Sequence, residues 1–383
     1  MRKRIRSWHV VLAGLVAMLA VPAAGVSKTS ALPTKIGPGE GALKVMEWGQ
    51  YTDPSFAKKF EQQTGCKIQR KDAGSSNEMF NIIHGGGNGY DLVSASGDAS
   101  LRFIYAGDVV PVNVNLIPSW KDFLPAFKSP PHNTIKGVHY GVSLQWGPNT
   151  LIYNTKKVKP APTSWSAIYS PKYKGKISVP NNPIQIADAA LYLQKTKPSL
   201  GIKDPYELTK PQFDAAVTLL KKQKPLLLRY WLYPADDEKD FKTGDAFIGA
   251  TWPLQTLTLQ ASKVPVKEII PKEGVTGWAD TWMLSKNAPH PNCAYRWMAY
   301  AATPQVQAKQ ALVFGETPVN PKACPYMNKI QKGSCAGYHL SAPAAYAKSI
   351  RFWKTPVKTC GWGGRTDCKD QQAWNNAWAS ITG

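Results

Sequence analysis

The sequence predicts an α/β fold divided into two lobes, each built on a mixed, mainly parallel sheet. Strand-like runs alternate with amphipathic helical runs along most of the chain, the pattern of a parallel sheet covered on both faces. The series also starts afresh after the loop Pro160-Ala161-Pro162-Thr163. Length agrees, because the roughly 355 residues left after removal of a leader suffice for two ordinary domains with proper cores.

In chain order, 42–48 alternates as a strand, 54–64 reads as a helix and 66–71 alternates again, a β-α-β start. The stretch 75–84 has helical spacing with Ser76 as N-cap, and the run Gly85-Gly86-Gly87-Asn88-Gly89 breaks it before the apolar strand 91–95. The apolar run 141–154 reads as one strand. In the second unit the pattern gives strand 176–180, helices 184–194 and 210–223, strand 226–230, helix 237–242 and strand 246–252. Strand character returns over 274–285, followed by helices near 293–301 and 304–312 and, in an aromatic-rich tail, near 371–381.

Arg2, Lys3, Arg4 and Arg6 precede the uncharged stretch Val10 to Gly25, which ends in Val21-Pro22-Ala23-Ala24-Gly25. That order is expected of a secretory signal peptide over 1–25, and the apolar run is shorter than the roughly 20 residues a spanning helix needs. No cysteine precedes Cys66, so a soluble periplasmic product without a lipid anchor is expected. The six cysteines then lie in an oxidising compartment, where pairing is favoured over metal or redox chemistry. Cys324 with Cys335 and Cys360 with Cys368 are close in sequence and bracket loop-like stretches. Cys66 and Cys293 remain, as a third pair or as two buried free thiols.

The formal charge of +22 falls by four to +18 without the leader, a balance that suggests an anionic partner. The basic residues are scattered in pairs such as Lys58-Lys59 and Lys221-Lys222 and form no arginine-rich arm, so nucleic acid is not an expected partner.

Enzyme motifs are missing: there is no His-Glu-x-x-His, Gly-x-Ser-x-Gly or phosphate-binding Gly-Lys loop. The run His84-Gly85-Gly86-Gly87 resembles an oxyanion loop but lacks a nucleophile elbow and reads as a turn. The six histidines have no ligand spacing, and no cofactor is expected. Several of the fourteen tryptophans sit at strand ends beside acids: Trp48 with Tyr51 and Asp53, Trp252 after a strand, and Gly277-Trp278-Ala279-Asp280. Aromatic faces attract an ammonium by roughly 0.5–2 kcal/mol each, and a carboxylate accepts its protons for roughly 1.5–3 kcal/mol per bond. Two or three of each reach the about 8 kcal/mol of micromolar capture; core packing is the competing use of the same indoles.

Leu43 to Tyr51, Tyr90 to Val93, Gly141 to Asn154, Ser164-Trp165, Trp252, Glu273 to Asp280 and Gly315 to Asn320 occur in an order and spacing that resemble the periplasmic spermidine/putrescine-binding proteins of ABC transporters. The resemblance covers nearly the whole mature chain. It implies a type II periplasmic binding protein: a monomer with two hinged lobes that clamps a small amine and hands it to an inner-membrane permease, without enzymatic activity. It places lobe 1 at 42–143 and 281–320 and lobe 2 at 144–280 and 321–383. By position in the family pattern, Trp48, Tyr51, Trp252 and Trp278 match cage aromatics and Asp280 the acid that takes an amine end. Asp98 falls in a contacting loop and Glu316 at an aromatic position. Asn182 and Gln185 stand where polyamine binders carry two acids. The blocks Ser94 to Arg102, Arg229 to Trp231, Gly274 to Thr281 and Phe352 to Pro356 resemble a branch that includes γ-aminobutyrate binders, in which Arg229 would grip a carboxylate. The expected ligand is therefore putrescine-like, with an ω-amino acid as the alternative and an anion, suggested by the net charge, as a third reading.

Overall fold

The computed structural model describes residues 32–86 and 89–383, so the expected leader and the middle of the glycine run lie outside the described residues. Fourteen strands follow one another among the described residues. The first sheet takes β1 (Ala42–Glu47), β2 (Lys67–Asp72), β3 (Leu92–Ser96), β6 (Val142–Pro148), β12 (Val275–Leu284), β13 (Thr317–Pro318) and β14 (Ile350–Phe352). Its order is β13-β6-β12-β3-β1-β2, with β14 added beside β12. The second sheet takes β7 (Thr150–Asn154), β8 (Ile177–Pro180), β9 (Leu227–Trp231), β10 (Ile248–Thr251) and β11 (Val266–Ile269), in the order β11-β7-β10-β8-β9. A short hairpin, β4 (Thr134–Ile135) and β5 (Val138–His139), stands apart.

Both sheets are mixed. β1 runs parallel to β2 and β3, and β8 parallel to β9 and β10. β12 runs antiparallel to β3 and β6 but parallel to β14, β6 runs antiparallel to β13, and β7 runs antiparallel to β10 and β11. The alternating pattern predicts the α/β fold, but not that antiparallel pairings equal the parallel ones in each sheet.

The structure moves several local expectations. The run 141–154 is two strands, because Asn149 breaks it and carries the chain from the first sheet to the second. The chain returns over 270–274 and enters β12, which continues without a break past 280. The lobe limits expected at 143 and 280 therefore fall inside continuous strands. Asn149 locks the two crossings: its backbone N–H donates to the Thr276 carbonyl at 2.8 Å and its side chain to Thr276 Oγ1 at 3.0 Å. The N-cap of the helix Ser76–His84 is Ser75 rather than Ser76, its hydroxyl accepting from the Glu78 N–H at 3.1 Å. Two helices of nine or more residues go unanticipated, Gly97–Ala106 and Pro253–Ala261, as do the shorter Pro125–Lys128, Cys324–Ile330, Ser334–Gly337 and Pro343–Lys348.

Large buried side chains such as Phe56, Phe60, Trp146, Trp282 and Trp297 fill the first lobe, while Trp374 and Trp378 of the last helix pack with Ile186 and Phe213 in the second. Disulfides join Cys66 to Cys293, Cys324 to Cys335 and Cys360 to Cys368.

Candidate functional site

Parallel strands deliver the residues just beyond their carboxyl ends to one crevice. Here the ends of β1, β2 and β3 face those of β8, β9 and β10 across a cavity of about 350 Å³. The first lobe contributes Trp48, Ser75, Ser76, Ser96, Trp278, Asp280, Phe314, Glu316 and Trp353, and the second Asn181, Asn182, Trp231, Tyr233 and Trp252.

Two carboxyls stand at one end. Asp280 and Glu316 are 3% and 5% exposed, and both reach the hydroxyl of the wholly buried Tyr51. Tyr51 donates to Asp280 Oδ2 or to Glu316 Oε2, the latter at 2.8 Å, and Ser96 Oγ donates to the other oxygen of Asp280. One phenol has one proton. It satisfies one carboxylate, so the second acid keeps its own proton to bond the phenolic oxygen. Loss of hydration is the main cause: burial pushes Asp280 up to about 7 against the hydrogen bonds from Ser96 and Tyr51, and it holds Glu316 well above the usual carboxylate range, with the charge of Asp280 adding to it.

The aromatic wall is held from behind. Trp252 Nε1 donates to Asn149 Oδ1 at 3.0 Å, Trp231 Nε1 to the Ala250 carbonyl at 3.1 Å and Trp353 Nε1 to Thr276 Oγ1 at 3.3 Å. Trp252 meets Trp231 and Trp278 edge to face, at 5.0 and 6.5 Å. Gly147 leaves room for Trp278, since a Cβ there would come within 2.2 Å of its ring.

The structure brings Trp48, Asn182, Trp252, Trp278, Asp280 and Glu316 to the cavity and leaves four expected residues off its lining. Tyr51 stands behind the acids, as described. Asp98 is in the first turn of Gly97–Ala106, where a carboxylate complements the helix N-terminus, and not in a loop; it accepts from Ser76 Oγ at 2.9 Å. Gln185 turns inward and donates to the buried Asp188 at 2.8 Å. Arg229 pairs with Asp240 at 2.7 Å and does not line the cavity. The β8–β9 register explains this: Trp231 lies beside Pro180 at the strand ends, whereas Arg229 lies beside Ser178, roughly 7 Å further back. Sequence reasoning did not assign Trp231, Tyr233 or Trp353 to the cavity they line. Trp231 and Trp353 both had a signal, since they lie in the family-like blocks Arg229 to Trp231 and Phe352 to Pro356, and Trp231 also closes an apolar run as Trp252 does.

The family model for bacterial extracellular solute-binding proteins matches residues 55–333. The chain belongs to that family. Among similar proteins, this solute-binding protein is 25% identical over 357 residues to the putrescine-binding periplasmic protein SpuD of Pseudomonas aeruginosa (strain UCBPP-PA14), covering 88% of this chain and 91% of that one. It is 27% identical over 285 residues to the putrescine-binding periplasmic protein PotF of Escherichia coli (strain K12), covering 70% and 74%. Its fold is that of a putative spermidine/putrescine ABC transporter protein from Listeria monocytogenes, with a TM-score of 0.73 at 20% identity over 89% of this chain and 98% of that one. Among the described residues of the solute-binding protein, no helix is long and apolar enough to cross a membrane.

The raised acids give the ligand-free protein a definite pH response. Burial pushes Asp188 and Asp237 up to about 7 and Glu47 up to about 8, as it does Asp280. Each binds its proton more tightly folded than unfolded, so its contribution is full below about pH 4 and is lost as the pH rises through about 7 to 8. The buried His132, pushed down to about 4, works in the opposite direction, as do His139 and His339, which burial also lowers, but the raised carboxyls outnumber them. The melting temperature by calorimetry is expected to be higher near pH 5 than near pH 8; the reverse order would show that these carboxyls stay ionised.

Proposed function

We propose that this protein is the periplasmic, non-enzymatic substrate-binding component of an ABC importer and captures a small amine between its lobes. The observation that carries the reading is the buried pair Asp280 and Glu316, joined through Tyr51, at one end of a cavity walled by tryptophans. A carboxylate without water gains a counter-charge and hydrogen-bond donors from an ammonium, and the indole faces attract the same cation. The names of the putrescine-binding relatives support the amine class. Closure would turn on the crossings at Asn149 and 270–274, and a permease of the inner membrane would receive the cargo.

The ω-amino acid alternative loses its anion partner because Arg229 is engaged by Asp240. The anion alternative finds no lysine or arginine on the lining.

Capture of an ammonium takes the place of the proton on Asp280, whose carboxyl burial raises to about 7, while Glu316 keeps its own. Titration with putrescine near pH 7 is therefore expected to release a proton, so that the calorimetric heat differs between phosphate and Tris buffers, and affinity is expected to rise from about pH 6 to pH 8 as that proton leaves more readily. Binding of sulfate in preference to any amine would remove the proposal. Trp278→Ala should weaken amine binding by roughly ten-fold, the loss of one desolvated cation–π contact.

A further inference from the structure

The charges around the cavity are one-sided. Asp280 and Glu316 are the only ionisable acids among its lining residues, and a single phenolic oxygen reaches both, so they form one subsite and not two. With one proton kept between them they present one negative charge, the complement of one ammonium.

The opposite side, made by Asn181, Asn182, Trp231 and Tyr233, carries no formal charge. Its helix ends are already occupied. Asn182 Oδ1 accepts the Ile184 N–H at 2.9 Å, Gln255 Oε1 accepts the Trp252 N–H at 3.0 Å, and the helix Pro234–Thr243 carries Asp236 and Asp237 in its first turn. On the first lobe Ser75 and Glu78 cap Ser76–His84, and Asp98 occupies the first turn of Gly97–Ala106. Neither a second ammonium nor a carboxylate meets a formal counter-charge on that side, and a charge taken out of water without an ionic partner is strongly disfavoured.

Aromatic surface takes the place of charge. Trp48, Trp231, Tyr233, Trp252, Trp278 and Trp353 line the cavity, and Leu232 and Tyr233, 55% and 61% exposed, form an apolar lip at its edge.

From this asymmetry, and resting on the amine reading above, we propose that the ligand class is an arylalkyl monoamine: one primary ammonium on a flat, uncharged aromatic body. The ammonium occupies the Asp280–Glu316 subsite and the ring lies among the indoles, where offset and edge-to-face contacts are favourable.

Isothermal titration of the purified protein near pH 7.5 with 2-phenylethylamine, butylamine, putrescine and γ-aminobutyrate tests the assignment. The expected order places 2-phenylethylamine at least about ten-fold tighter than butylamine, the gain of ring contacts, with putrescine and γ-aminobutyrate no tighter than butylamine. Putrescine or γ-aminobutyrate binding more tightly than butylamine reveals a partner for the second charge and overturns the inference while leaving amine capture intact. Equal affinity for 2-phenylethylamine and butylamine overturns the aromatic part. Silence toward all four ligands overturns amine capture itself, and this inference with it.

Discussion

Asp280→Asn is expected to weaken amine binding by at least about 100-fold, close to 3 kcal/mol, without unfolding the empty protein. The amide keeps the shape of the carboxyl and can still accept from Tyr51 or Ser96, so the cavity wall is preserved. What disappears is the negative charge at a site 3% exposed to solvent, where truncating a desolvated ion pair has effects of this size. The apo protein responds in the opposite sense. Burial raises the Asp280 carboxyl to about 7, so near pH 8 its ionisation opposes folding, and the asparagine variant should melt no lower than the wild type there. Calorimetric titration and thermal melts of both proteins check the two halves together; wild-type affinity in the variant would disconnect Asp280 from the ligand.

Removal of the Cys66–Cys293 disulfide, as a double alanine variant, should produce the largest loss of stability of any single bridge. It spans 227 residues, against 11 for Cys324–Cys335 and 8 for Cys360–Cys368. The entropy of a closed loop grows with the logarithm of its length, so its loss should exceed that of the Cys360–Cys368 bridge by about 3 kcal/mol. The position of the bridge adds to the effect. Cys66 directly precedes β2, an edge strand with mostly exposed side chains, and Cys293 lies in the helix Pro291–Ala301, so the bond fastens the rim of the first sheet to its covering helix. Denaturant unfolding of the two double variants measures the difference, and equal midpoints and slopes would contradict the loop-length account.

The order of strands and helices was largely legible because hydrophobic period and helix-capping residues are local. The helices 54–64 and 210–223 appear with the limits their periodicity predicts. Some errors were also local. Gly97–Ala106 begins directly at the end of β3 with no loop residue to announce it, and Asp98 consequently reads as a loop residue until the helix is seen.

The site divides along the same line. Trp48 and Trp252 directly follow strands, a property of neighbouring residues, whereas Trp278 and Asp280 lie inside β12 and were marked by their place in the family pattern. Which of them touch, and what stands behind them, depends on pairings across long separations. Tyr51 meets Asp280 and Glu316 from 229 and 265 residues away, Trp353 enters only because β14 returns to β12, and the β8–β9 register sends Trp231 to the cavity while Arg229 stops short of it. The sequence by itself determined the α/β order and marked the aromatic residues and the acid at 280 as candidates. Tertiary structure decided that the two acids share the Tyr51 hydroxyl and that Arg229 serves Asp240, because strand register and lobe packing are set by burial summed over the whole chain and leave no periodic trace in any short window.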